Sequence, residues 1–139
     1  YGNDTIYAGS GGTTVDANGA ASTTMTFTGG ASAATLVAGA ATINATTGAG
    51  ALTVELGSGH DSITEGSGAA NLFEFISGMG GGTDLITGYR SGTDQVHFTG
   101  VTITSDNVTS AGFNIVLTDG THATFAGFTS VVTSILNAA

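Results

Sequence analysis

Four aspartates stand in one local context. Asp4, Asp61, Asp84 and Asp94 each follow a glycine-containing turn, and each precedes an aliphatic by two residues: Ile6, Ile63, Ile86 and Val96. Carboxylates are hard oxygen donors, so the chemistry they offer first is capture of a hard cation. The competing role is plainer, because aspartate caps turns through its own neighbouring backbone. For Asp94, four residues after Arg90, a local ion pair is the expected role. Other chemistries lack their parts. Ser58, His60, Asp61 and Ser62 supply the residue types of a hydrolase triad, but they are neighbours on one turn and no nucleophile elbow is present. His60, His97 and His122 are scattered, without a His-Glu-x-x-His run and without any Cys, which gives a zinc or protease site no support. The chain reads as a non-enzyme.

Charge narrows the partners. Ten Asp and Glu face one Arg and no Lys, for a net charge of −9. Phosphate backbones and anionic membrane surfaces both call for basic residues, so nucleic acid is excluded as a partner and anionic membranes are disfavoured. No basic-plus-apolar leader and no apolar run of bilayer length occurs, so membrane insertion is not expected. The chain opens in the middle of a repeat, at Tyr-Gly-Asn-Asp, as a piece of a longer protein would. Twenty-four Gly and many Thr and Val suit tight coils better than helices.

The elements that must position the aspartates follow from a comb. Phe27, Leu36, Ala45, Val54, Ile63 and Leu72 stand nine residues apart, punctuated by glycine turns such as Gly57/Gly59 and Gly66/Gly68. Ile6 and Val15 keep the same interval, and the twelve residues from Val15 to Phe27 imply a three-residue insertion near the polar stretch Asp16–Gly19. A sustained period of nine predicts an all-β fold, a parallel β-roll or β-solenoid with one turn and one short strand per repeat. After Asn71 the residues enlarge, and 101–104, 113–117 and 123–128 read as antiparallel strands. Thr118-Asp119-Gly120-Thr121 reads as a hairpin turn between the last two. The expected division is a solenoid body over 1–76 and, over 77–139, an antiparallel β cap with a carboxyl-terminal region resembling a secretion signal. The apolar tail from Val131 to Leu136 is assigned no element. Phe73, Phe75, Phe98, Phe113, Phe125 and Phe128 are expected to form the core where the solenoid closes.

The stretches GNDTIYAGSGG, GSGHDSITEG and GGGTDLITGYRSGTDQVHF resemble the hemolysin-type calcium-binding (RTX) repeat, Gly-Gly-x-Gly-x-Asp-x-aliphatic-x. The resemblance is specific at 1–12 and 57–98, weaker at 13–56, and looser again over the closing strands. It implies calcium held between coils by the aspartates and by turn glycines, here Asp4, Asp61, Asp84 and Asp94 with Gly2, Gly57, Gly59 and Gly82. Asp61 with Asp84 is the best candidate pair. It also implies secretion to the cell surface or medium, with a type I secretion apparatus as the partner. The sequence departs from the repeat in its middle. At the aspartate position stand Met25, Ala34, Ile43, Leu52 and Ala70, which should make the central coils apolar and calcium-free.

Three functional readings stay open at this stage. The first is a non-catalytic structural module of a larger secreted bacterial protein, largely depleted of calcium. The second is self-association into a surface layer, adhesin or extracellular fibre. The third is an accessory module of an enzyme whose catalytic domain lies upstream. Outward positions read Thr26/Thr28, Asn44/Thr46 and Ser62/Thr64 on one face and Thr35/Val37, Thr53/Glu55 and Asn71/Phe73 on the other. A flat Thr ladder can order water, which admits ice binding. A solvated surface rich in a good strand former is the simpler account.

Overall fold

The computed structural model describes residues 3–19, 24–66 and 68–138. The chain winds as a parallel β-solenoid in which each coil contributes one strand to each of two sheets. The first coil holds β1 (Asp4–Tyr7) and β2 (Thr13–Asp16), the next β3 (Thr24–Thr28) and β4 (Ala34–Val37). Then come β5 (Thr42–Thr46) with β6 (Leu52–Leu56), β7 (Ser62–Thr64) with β8 (Leu72–Ile76), and β9 (Thr83–Thr87) with β10 (Gln95–Thr99). Odd strands stack in one sheet and even strands in the other, all parallel. Parallel pairing thus runs on through β9 and β10, and antiparallel pairing begins with the strands after them.

The comb is the core. Phe27, Ala45, Ile63 and Ile86 stand in register down one sheet and Leu36, Val54, Phe73 and Val96 down the other, none more than 3 % exposed. Alternate residues of a strand share a face, so one apolar residue in two is enough to fill the space between the sheets. Each fully buried large aliphatic or aromatic contributes about 1.5–3 kcal/mol.

Register records every irregularity in the sequence. Ile6 pairs with Phe27 and Val15 with Leu36, an offset of 21 residues where the regular coils have 18. Both jumps share the turn after β2, which places the three extra residues there; residues 20–23 of that turn lie outside the described residues. Within it, Asp16 Oδ1 accepts the Asn18 N–H at 2.9 Å. The comb corrects itself at its last tooth. Val54 pairs with Phe73, not Leu72, because the turn after β7 carries one extra residue. Phe73 is fully buried while Leu72 is half-exposed on the outer surface. The inward residue two positions earlier is therefore Asn71 rather than Ala70. Asn71 and Phe73 do not belong to the outer face.

Beyond β10 the even sheet stops and the odd sheet continues. β11 (Ile103–Val108), β12 (Gly112–Leu117) and β13 (His122–Ala126) follow, with β13 parallel to β9 and the others antiparallel outward from it. Thr118–Thr121 makes the β12–β13 hairpin: Gly120 takes φ 88° and the Leu117 N–H reaches the Thr121 carbonyl at 2.9 Å. The apolar tail forms one helical turn, α1 (Thr133–Leu136), burying Val132 and Ile135. Aromatic side chains gather under it, with Tyr89 6.3 Å from Phe73, 5.2 Å from Phe125 and 6.1 Å from Phe128 between ring centres.

Candidate functional site

Two inward columns run along the solenoid, one per sheet, each two residues before the comb. Register lines up Asp4, Met25, Ile43, Asp61, Asp84 and Ala123 in the odd sheet, and Thr13, Ala34, Leu52, Asn71 and Asp94 in the even one. Met25, Ile43, Ala34 and Leu52 are all buried. The four buried polar members do a uniform job. Asp61 Oδ1 accepts the Ile43 N–H at 2.8 Å, Asp84 Oδ1 the Asp61 N–H at 3.2 Å, Asn71 Oδ1 the Leu52 N–H at 2.9 Å and Asp94 Oδ1 the Asn71 N–H at 2.9 Å. Each side chain thus caps a strand-end N–H of the coil before it, an orphan donor that burial would otherwise make costly.

Asp94 has no oxygen to spare. Arg90 clasps it, with Nη2 to Oδ1 at 3.0 Å and Nε to Oδ2 at 3.2 Å, and the Arg90 N–H reaches Oδ2 at 2.7 Å. The same guanidinium donates to the carbonyls of Gly68 and Ala69 at 3.0 and 2.8 Å, tying two successive turns together. Burial alone would raise the Asp94 carboxyl, but the guanidinium and the Asn71 N–H outweigh it and hold the group below its usual 3.8. Beside it lies Glu65, whose Oε2 accepts from Asn71 Nδ2 at 2.8 Å while Oε1 is buried without a partner. Burial, then the neighbouring Asp94, pushes Glu65 up to about 7.

The odd column ends differently. Asp84 is 1 % exposed, and its Oδ2 is buried without a hydrogen-bond partner. Burial first, and then the charge of Asp61, pushes its carboxyl up to about 8, with Asp119 of the hairpin adding to the rise. Asp61 is raised by burial too, against the opposing N–H groups of Ile43 and Gly57. Around this pair the turns are pressed together. A Cβ on Gly82 would collide with the Gly59 carbonyl, and Gly57 is as tightly set against Gly39. The loop after β8 touches the hairpin, where the Gly81 N–H donates to Thr121 Oγ1 at 2.8 Å.

Tested against a calcium ion, the aspartates differ. Asp4 is exposed, and its stacked neighbour is Met25. Asp61 gives Oδ1 to Ile43 and turns Oδ2 to the Gly57 N–H at 3.5 Å, while Asp94 is taken by Arg90. Of the buried aspartates Asp61, Asp84 and Asp94, Asp84 alone keeps an unpartnered oxygen, so a cation fits best there, beside Asp61 and the Gly57, Gly59 and Gly82 turns. Among the described residues no three acid, His or Cys side chains converge as a metal set. Gly2 lies outside the described residues.

Asn71, Glu65 and Asp119 were not foreseen from the sequence. Asn71 is hidden by the one-residue slip of the comb, and Glu65 and Asp119 act through turns whose stacking no local motif encodes. Among the described residues no helix is long and apolar enough to cross a membrane. No family model, no curated protein and no solved structure matches this chain.

Proposed function

We propose that the chain is a non-catalytic structural module of a larger secreted bacterial protein, an RTX-like β-roll in which most calcium positions have passed to apolar packing. One observation carries this reading. At the inward position where the repeat places a metal-binding aspartate, the central coils bury Met25, Ala34, Ile43 and Leu52, and the later coils spend Asp61, Asn71 and Asp94 on backbone N–H groups. Such a module folds without metal and serves as a rigid spacer or support near the exported end of its parent, with a type I secretion apparatus as the partner the repeat implies. Calcium, where it binds, adds to a fold that already stands, through Asp84.

Thermal unfolding with millimolar calcium and with excess chelator tests this. The chain is expected to stay folded in chelator and to gain at most one site's worth of stability from calcium, about 2.7 kcal/mol at a hundredfold excess over Kd. Unfolding by chelator would overturn the reading.

Self-assembly is the second reading, favoured by the outer face of the odd sheet. Thr28, Thr46, Thr64 and Thr87 stand there in register, and the parallel strands β3, β5, β7 and β9 place no charged residue on that face. Side-by-side contact across it would show as mass that rises with concentration in sedimentation.

A further inference from the structure

We propose that the first coil is a docking surface for one more parallel coil of the same β-roll repeat, presented by another β-roll segment. β1 and β2 are the outermost strands of their sheets at one end of the solenoid, so among the described residues both offer an unpaired edge. Ile6 and Val15 there are only half-buried, although their stacked neighbours Phe27 and Leu36 are 1 % and 0 % exposed, and Tyr7 is 77 % exposed.

Two further features say what fits. Gly9, Gly30 and Gly48 occupy one column, each two residues after the paired Tyr7, Thr28 and Thr46. A Cβ on Gly30 would strike the carbonyl oxygens of Gly9 and Ala8, and one on Gly48 those of Gly30 and Gly29. Each of these two glycines therefore seats the turn carbonyls of the coil before it. None of the three has a positive φ, so close approach rather than backbone conformation is what calls for glycine. Gly9 has the same place in the column, yet a Cβ there would meet no described atom within 4 Å. Asp4 repeats the point, because Asp61 and Asp84 in its column each accept an N–H from the preceding coil. The occupant is thus a parallel coil that offers turn carbonyls to Gly9 and a strand-end N–H to Asp4. It extends the interface that already joins coil to coil.

A second copy of the chain does not supply that coil. At its far end only β10, in the even sheet, offers a parallel edge; the odd sheet, which would have to supply the carbonyls for Gly9 and the N–H for Asp4, ends there in the antiparallel strands β12 and β11. Two copies meeting first coil to first coil would set one Gly9 face against another, with no carbonyls to seat.

The test adds the coil. A copy of residues 22–39 fused ahead of Tyr1 sets the Met25 copy 18 residues before Asp4, the spacing of Met25 and Ile43. In-register fusion is expected to raise Tm by about 5 °C or more. A fusion one residue shorter, which turns inward side chains outward, is expected to give no rise. Gly9→Ala is expected to leave Tm of the unfused chain unchanged and to erase the gain in the fused one. Equal behaviour of the two fusions, or a Gly9→Ala loss in the unfused chain, would overturn the proposal. So would an unfused dimer that Gly9→Ala dissociates, since a second copy would then be the occupant.

Discussion

At Asp84 a buried carboxyl holds one oxygen on the Asp61 N–H and leaves the other without a partner. Its raised value fixes the sign of a pH effect. Below 3.8 both folded and unfolded chains carry the proton; between 3.8 and about 8 only the folded one keeps it, so stability falls across that window and then levels. Glu65 adds a decline of the same sign between 4.5 and about 7. Asp94, held below 3.8, works oppositely, and its contribution is present above that value and lost as pH falls through its folded one. The fold should therefore be most stable in mildly acidic solution. Asp84→Asn preserves the acceptor for Asp61, as Asn71 already does for Leu52, and removes the ionisation. Thermal melts from pH 4 to 9 are expected to show a flatter descent for the variant and a higher Tm than the parent chain above pH 8, because no charge has to form in the buried site. Any calcium response should vanish with it. A variant that melts lower at pH 8 without calcium would mean that the ionised carboxylate is favourably held.

Strands and turns set which residue meets the core, and β8 shows how a one-residue shift decides it. Phe73 fills the comb position and Leu72 faces out, so the two Ala substitutions separate the registers. Phe73→Ala is expected to cost about 3–5 kcal/mol in chemical denaturation, and Leu72→Ala about 1 kcal/mol or less. The reverse order would restore the nine-residue step. This element also marks how far the sequence could be read. The interval of nine was enough for the parallel solenoid, the burial of Phe27 to Ile63 and the three-residue insertion, and the Asp-Gly pair was enough for the hairpin, because each rests on local sequence. It was not enough for Asn71, since a turn one residue longer leaves apolar candidates at both 72 and 73 and only burial between the sheets chooses. The aspartates were legible as a set. The ion pair of Asp94 with Arg90 was legible too, because the two stand four residues apart. The fates of Asp61 and Asp84 were not, because stacked turns bring Ile43 and Gly57 to the one and Asp61 and Asp119 to the other.

On the scale of the whole molecule the two ends are unlike, and that asymmetry governs association. At one end β1 and β2 lie open. At the other, β10 remains the edge of the even sheet, but β13 covers the edge of β9, the hairpin meets the loop after β8, and Val132 and Ile135 of the closing tail are buried. Parallel strand edges are pairing templates, and here β13, β12 and β11 move the edge of the odd sheet outward from β9 to the polar strand β11. Ending the chain after Thr99 would expose the β9 edge with Leu85 and uncover Ile86, Tyr89 and Val96, which the full chain buries or half-covers. Sedimentation velocity is expected to find the full chain as one monomeric species at every concentration, because a net charge of −9 with one cation opposes side-by-side contact. The truncated chain should form concentration-dependent oligomers. A truncated chain that stays monomeric would show that the closing strands do not protect the coil edge. Mass that grows with concentration in the full chain, and that Gly9→Ala leaves unchanged, would instead place the contact on the uncharged Thr ladder, and raising ionic strength, which screens the like charges, should then strengthen it.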